Sequence, residues 1–168
     1  MSAGDLIARH RKLFEHEKDA TRRVLESLDS VPGAQRNKLE YHYACDRTAH
    51  LLLTRLEWLD RVLGDRSEAC ANGIFPEDVS LDHLQGLREQ VEQRWDAYLA
   101  KLDDTELSRD AQYTNTAGEK YTTPVADILD HVYTHGFYHR GQVASAVSAC
   151  GGERAMQDYI LYVRDRCG

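Results

Sequence analysis

The sequence predicts an all-α fold, namely a four-helix bundle followed by a short C-terminal helical segment. Apolar residues recur at helical spacing in four long blocks, and no run of alternating β-branched residues indicates a sheet. Only three prolines interrupt the chain, which leaves room for long helices. Long amphipathic helices bury their apolar faces against one another, so a bundle is the simplest arrangement.

The first two helices are separated by a short turn. The first carries an apolar stripe over Leu6–Leu28 and ends before the turn at 30–33. The second runs from about Leu39 to Leu63, and Gly64 follows at a position where helices commonly end. We expect the next segment, 64–79, to be a loop because it contains turn-forming residues.

The third helix begins at a capping residue. Ser80 can accept a hydrogen bond from a free backbone N–H of the first turn, and the apolar positions then continue at helical spacing over Leu84–Leu102. The following segment, 103–122, is polar. A short hairpin and an irregular loop fit this segment equally well.

The fourth helix has the clearest start signal of the chain. Thr123 offers a capping hydroxyl and Pro124 suits the first helical position, so we expect a helix from there to about Ala149. The glycine pair Gly151-Gly152 ends it. Apolar residues within 159–163 predict a shorter closing helix.

Size and charge narrow the class of protein. The 168 residues are most simply one domain, 1–168, and the net charge of −7 without a block of Lys and Arg argues against a nucleic-acid partner. The sequence contains no run of about eighteen apolar residues, so it predicts no membrane span. The first residues lack a basic segment followed by an apolar one, so we expect no signal peptide.

The cysteines predict a reducing compartment. They are far apart and form no C-x-x-C pair, which suits the cytoplasm better than a disulfide framework or a thiolate zinc site. The four positions are Cys45, Cys70, Cys150 and Cys167.

The fourth helix carries three histidines at intervals of four residues, His131, His135 and His139. This spacing stacks side chains on one face of a helix, and imidazole is a common ligand of transition metals. A further ligand should come from a facing helix, where His50 is the best placed residue and His42 the reserve. The remaining histidines lie in more charged surroundings and are expected to be exposed: His10, His16 and His83.

Residues next to the histidine row allow more than one role, and they do not define a mechanism. The row lacks the glutamate of the protease motif H-E-x-x-H. Asp127, one turn before His131, either orients an imidazole or acts as an acid or base, or it stabilises the helix N-terminus. Arg140 either contacts a substrate or holds neighbouring loops. Gly136 and Gly141 suggest close packing against the helix of His50.

The chain resembles the DinB-like superfamily, which includes thiol-dependent transferases. The most specific match is His131-x-x-x-His135-x-x-x-His139-Arg-Gly-Gln142, and a second is His50 followed eight residues later by Trp58-Leu59. The helix over 84–102, the Asn115-x-x-Gly118 loop and Asp158-Tyr159 also fit.

The resemblance implies an up-down-down-up bundle, commonly dimeric, with a divalent metal held by His50, His135 and His139. His131 matches a family histidine that is usually not a direct ligand. Three imidazoles suit zinc, nickel and iron alike. The implied chemistry activates a low-molecular-weight thiol, or water, for transfer or hydrolysis. Two alternatives remain: a non-catalytic metal-binding or stress-response protein, and a purely structural bundle whose histidines bind nothing.

Overall fold

The computed structural model describes residues 3–65, 68–115 and 117–164, and these residues are mainly helical. In chain order the helices are α1 (Ala3–Asp29), α2 (Leu39–Leu63), α3 (Leu81–Lys101), α4 (Asp104–Leu107), α5 (Val125–Ala149) and α6 (Tyr159–Val163). The strands β1 (Asp110–Thr114) and β2 (Lys120–Pro124) form an antiparallel hairpin. The prediction of a helical fold is confirmed, and the polar segment before α5 forms the hairpin rather than an irregular loop.

The four longest helices, α1, α2, α3 and α5, lie side by side, and their contacts give the direction of each. Helix α5 contacts α1 through Tyr133 with His10 and Arg140 with Glu17. It contacts α2 through His139 with His50 and His131 with Trp58. Helix α1 contacts α3 through Arg11 with Leu99 and Lys18 with Asp96. Helix α5 therefore runs parallel to α1 and antiparallel to α2, whereas α1 runs antiparallel to α3. The chain follows the up-down-down-up order.

Helix boundaries follow the predicted caps with one exception. Gly64 ends α2 in the left-handed conformation, with φ of 69°, and the Ser80 side chain accepts a hydrogen bond from the N–H of His83. The expected cap by Thr123 is wrong: its hydroxyl lies 3.2 Å from that of Tyr113. Pairing with β1 keeps the backbone extended through Pro124, which takes the N-cap position itself.

The core combines apolar side chains from all four long helices with a few buried polar groups. Trp95 is fully buried, and its indole N–H donates to the carbonyl oxygen of Arg55 at 3.1 Å. His10 and His16, which we expected to be exposed, are buried at 4% and 2% exposure. The reason is that α5 and α6 cover this side of α1, placing His16 against Phe137 and the two tyrosines of α6.

Two further expectations from the sequence concern membrane spans and cysteines. Within the described residues, no helix is apolar over a stretch that could span a bilayer. Cys45 and Cys150 are free thiols, the Cys70 thiol donates to the carbonyl oxygen of Leu53 at 3.5 Å, and Cys167 lies outside the described residues. Neither the hairpin nor the short helices separate the histidine row from α2, which packs against α5 along its length.

Candidate metal centre

Helices α2 and α5 bring three imidazoles together at their interface. The Nε2 atoms of His135 and His139 are 2.9 Å apart, as expected for side chains one turn apart on the same helix. His50 enters from α2, and its ring centroid lies 4.8 Å from that of His139. The three residues offer nitrogen atoms that all lie within 4.8 Å of one another.

Hydrogen bonds fix the orientation of two of these rings. The Nδ1–H of His50 donates to the carbonyl oxygen of Ile74 at 2.6 Å, and the Nδ1–H of His139 donates to Oε1 of Gln142 at 2.8 Å. In neutral imidazoles bound in this way, the Nε2 atoms carry lone pairs. Metal-binding histidines are commonly oriented by such partners.

Burial keeps the three imidazoles neutral. It lowers the pKa of His50 and His139, and in His139 the hydrogen bond to Gln142 opposes this effect. Burial, followed by the positive charges that His139, His131 and His50 would carry, lowers the pKa of His135 to about 3. A metal ion binds only the deprotonated nitrogen, so three neutral rings, two of them with their Nε2 lone pairs free, fit a transition metal.

Two exposed aromatic rings flank the group. Phe75 stacks on the His50 ring with centroids 4.5 Å apart, although 72% of its surface is exposed. Tyr138 is 66% exposed and meets the His139 ring edge-on at 4.9 Å. The site therefore opens to solvent between apolar rings, and Phe75 and Ile74 both come from the loop before α3.

His131 continues the row without joining the group. Its ring centroid is 5.4 Å from that of His135 and 5.0 Å from that of Trp58 on α2. The guanidinium of Arg61 lies over the Trp58 ring, 4.4 Å from its centroid. His131 thus packs beside the three-histidine group, one turn further along α5.

The structure does not bring Asp127 or Arg140 to the histidines. Asp127 is exposed in the first turn of α5, where a carboxylate favours a helix N-terminus, and no hydrogen bond or ion pair joins it to a described residue. Arg140 is 1% exposed and faces α1, where it donates to both oxygens of Glu17 at 2.5 and 2.9 Å. It is therefore out of reach of a substrate.

Behind the histidine row, a buried ionic cluster holds α5 against its neighbours. Glu17 of α1 is fully buried and accepts hydrogen bonds from Arg55 of α2 and Arg140 of α5. A Cβ atom on Gly136 would lie 2.6 Å from Oε2 of Glu17, so this glycine permits the approach of α1 rather than α2. The expected close packing at Gly141 is wrong, because a Cβ atom placed on this residue would have no neighbour within 4 Å.

Sequence reasoning missed several parts of this site. The carbonyl oxygen of Ile74 is a backbone atom in an irregular segment, so its residue type gave no signal. In the sequence Glu17 looks like an ordinary carboxylate on a helix. Only the packing of α2 and α5 around it buries it and makes it the partner of Arg55 and Arg140. The contact of Phe75 with the site was not predicted, because Phe75 lies in a predicted loop.

Comparisons with known proteins identify the family of the chain. The family model described as the DinB family matches residues 6–166. The chain is also similar to "Protein DinB" of Bacillus subtilis (strain 168), with 25% identity over 165 residues that cover 90% of this chain and 92% of that protein. No solved structure matches. The match over nearly its whole length shows that the chain belongs to the DinB family.

Proposed function

We propose that this protein is a metal-dependent enzyme in which His50, His135 and His139 hold a divalent metal ion. The observation that carries the proposal is the convergence of three neutral imidazoles whose nitrogen atoms lie within 4.8 Å of one another. Three protein ligands leave coordination positions open, which is typical of catalytic rather than structural sites. Zinc, nickel and iron all suit this donor set.

The reaction class that fits best is transfer to or from a low-molecular-weight thiol, or hydrolysis. A bound metal ion supplies positive charge that lowers the pKa of a thiol or of water, so that a nucleophile exists near neutral pH. The chain itself contributes orientation, since Ile74 and Gln142 hold two of the rings. Phe75 and Tyr138 place aromatic rings against His50 and His139, on two sides of the site.

Elemental analysis of untagged protein tests the ligand assignment. We expect about one equivalent of metal in the unaltered protein and a loss of most of it in His135→Ala. His83→Ala is the matched control because His83 is exposed on α3. Retention of metal by His135→Ala at the level of the control would show that the assignment is wrong.

A turnover assay tests the catalytic part of the proposal. The metal-loaded protein is mixed with an electrophile and a low-molecular-weight thiol, and consumption of the thiol is followed. We expect turnover that requires both metal and thiol and that is lost in His135→Ala but not in His83→Ala. Equal rates with metal-loaded and chelator-treated protein would contradict a metal-dependent enzyme.

A second function is a non-catalytic metal-binding or stress-response protein. The observation that favours it is that the ligands come from two helices, so a metal ion would cross-link α2 and α5. Metal removal should then lower the melting temperature by many degrees while no thiol assay shows turnover. Metal removal that abolishes turnover with little change in melting temperature would favour the enzyme instead.

Two further expectations come from the family resemblance and from the cysteines. We propose a homodimer, which sedimentation equilibrium of the full chain would detect as twice the mass of 19.2 kDa. We also propose a cytoplasmic location, for which fractionation of cells is the direct measurement. Neither proposal changes the assignment of the histidines.

A further inference from the structure

We propose that Glu17 of α1 is a positioning residue for the three-histidine group, because it sets the separation of α2 and α5 where these helices carry the histidines. This inference rests on the ligand assignment of the proposed function. It adds to that function a residue on a third helix, outside the ligand set, on which metal affinity depends.

Glu17 contacts the chain next to both ligands of α5. Arg140, which follows His139, donates from Nη1 and Nη2 to the two carboxylate oxygens at 2.5 and 2.9 Å. Gly136, which follows His135, lies so close that a Cβ atom would be 2.6 Å from Oε2. The carboxylate therefore lies against the turn of α5 that carries both ligands.

The same carboxylate also binds α2. It accepts a hydrogen bond from Nη2 of Arg55, whose Nη1 donates to the Thr21 hydroxyl of α1 at 2.9 Å. Arg55 follows His50 by five residues, which is a rise of about 7.5 Å along the helix. One buried group thus connects the ligand-bearing segments of both helices.

Charge explains why this connection controls the distance between the helices. Arg55 and Arg140 are 3% and 1% exposed, and each brings a positive charge from a different helix to the same carboxylate. Without the negative charge between them, two guanidinium groups in a poorly screened interior repel each other. The repulsion acts between α2 and α5, the two helices whose ligands a metal ion must reach at once.

The effect should fall on one ligand in particular. His135 and His139 share a helix, so their separation does not depend on the position of α2. His50 has to meet them from α2, and its distance from them changes when the two helices move apart. A general loss of stability would not distinguish between these ligands, whereas a positioning role of Glu17 does.

A double-mutant cycle between Glu17→Gln and His50→Ala tests this prediction. Zinc affinity is measured by isothermal titration calorimetry of folded, metal-free protein, with a competing chelator where binding is tight. Glu17→Gln alone should weaken zinc binding about 10- to 100-fold, as is typical when a supporting partner of metal ligands is removed. In the His50→Ala background the same change should alter the affinity by less than about threefold, since the ligand on which it acts is already absent.

Leu28→Ala is the matched control, because Leu28 is fully buried on the same helix, about three turns from Glu17. It should lower the stability, as large-to-small core changes do, and leave the zinc affinity of the folded protein unchanged. A second variant combines Glu17→Gln with Arg55→Met, which removes the repulsion together with the carboxylate. It should bind zinc within about threefold of the unaltered protein, and it decides the question if Glu17→Gln alone does not fold.

Three results would overturn the positioning role. The first is an unchanged zinc affinity in folded Glu17→Gln, and the second is an equal loss of affinity with and without His50. The third is a loss of tenfold or more in the variant that combines Glu17→Gln with Arg55→Met, because no pair of like charges is then left to separate the helices.

The proposed function fails in a different way. If the unaltered protein binds no zinc, or if His50→Ala binds zinc as tightly as the unaltered protein, the ligand assignment is wrong and the role of Glu17 falls with it. If His50→Ala loses affinity and Glu17→Gln does not, the ligand assignment stands and only the role of Glu17 is wrong. The same set of titrations therefore distinguishes the two failures.

Discussion

Replacing Glu17 by glutamine should destabilise the protein strongly, because it leaves two buried cations without a counter-charge. Glu17 is 0% exposed, and its partners Arg55 and Arg140 are 3% and 1% exposed, so water screens none of the three. Breaking a buried ion pair by removing one partner costs about 3–5 kcal/mol. Because both arginines depend on this carboxylate, we expect a loss in the upper part of that range.

The melting temperature should fall by about 8–20 °C, since 1 kcal/mol corresponds to about 2–4 °C in a domain of this size. Denaturant unfolding of metal-free protein, followed by tryptophan fluorescence, to which the buried Trp95 contributes, measures the free energy of unfolding without a contribution from metal binding. The matched control is Glu26→Gln, whose carboxylate pairs with Arg22 but is 62% exposed.

The control should change the free energy of unfolding by less than about 1 kcal/mol, as is typical of exposed ion pairs. A loss as small as this in Glu17→Gln would refute the reasoning, because it would mean that the two guanidinium groups find water or other partners when the carboxylate is removed. It would also remove the basis for describing the cluster as a support for α5.

Three further predictions concern single sites. Gly136→Ala should destabilise the protein by about 1–3 kcal/mol because the new Cβ would lie 2.6 Å from a buried carboxylate oxygen. Gly141→Ala, where the new Cβ would meet open space, should not destabilise it. Thermal unfolding measures the stability of both variants. Gln142→Leu should weaken metal affinity by about 10- to 100-fold in a competition titration with a chelator, since it removes the 2.8 Å partner of His139. Burial raises the pKa of the Cys45 thiol to about 11, so at pH 8 it stays protonated in the folded protein and should react with a disulfide reagent only after unfolding.

Each of these has a contradicting result. Equal stability of the two glycine variants would mean that α1 moves away from α5 at little cost. Unchanged affinity in Gln142→Leu would mean that the amide does not orient the imidazole. Fast labelling of Cys45 in the native protein, judged against a Cys45→Ser variant, would show that α2 opens locally.

The sequence predicted the long helices well because their signals are local. Helix α2 runs over the predicted residues, since its apolar spacing and the glycine after Leu63 both act within a few residues. The start of α5 was mispredicted because strand pairing, which is a contact between distant residues, determines the backbone of Thr123 and Pro124. Helix α4 is only four residues long, too short for a periodic signal.

The site was only partly predictable for the same reason. Regular spacing places the three histidines of the row on one face of α5, and His50 is the best placed partner on a facing helix. The choice of His135 and His139 over His131 came from the family resemblance, and the structure brings these two residues together with His50. The buried His10 and His16 were mispredicted because charged neighbours in the sequence say nothing about which helix covers them.

The metal content of untagged His50→Ala tests the central claim most directly, because His50 is the ligand that makes the site span two helices. His42→Ala is the control on the same helix, since its side chain is 46% exposed and lies 3.6 Å from Asp78 rather than at the site. We expect about one equivalent of metal in the unaltered protein and in His42→Ala, and little in His50→Ala. Full metal content in His50→Ala would contradict a centre built from α2 and α5.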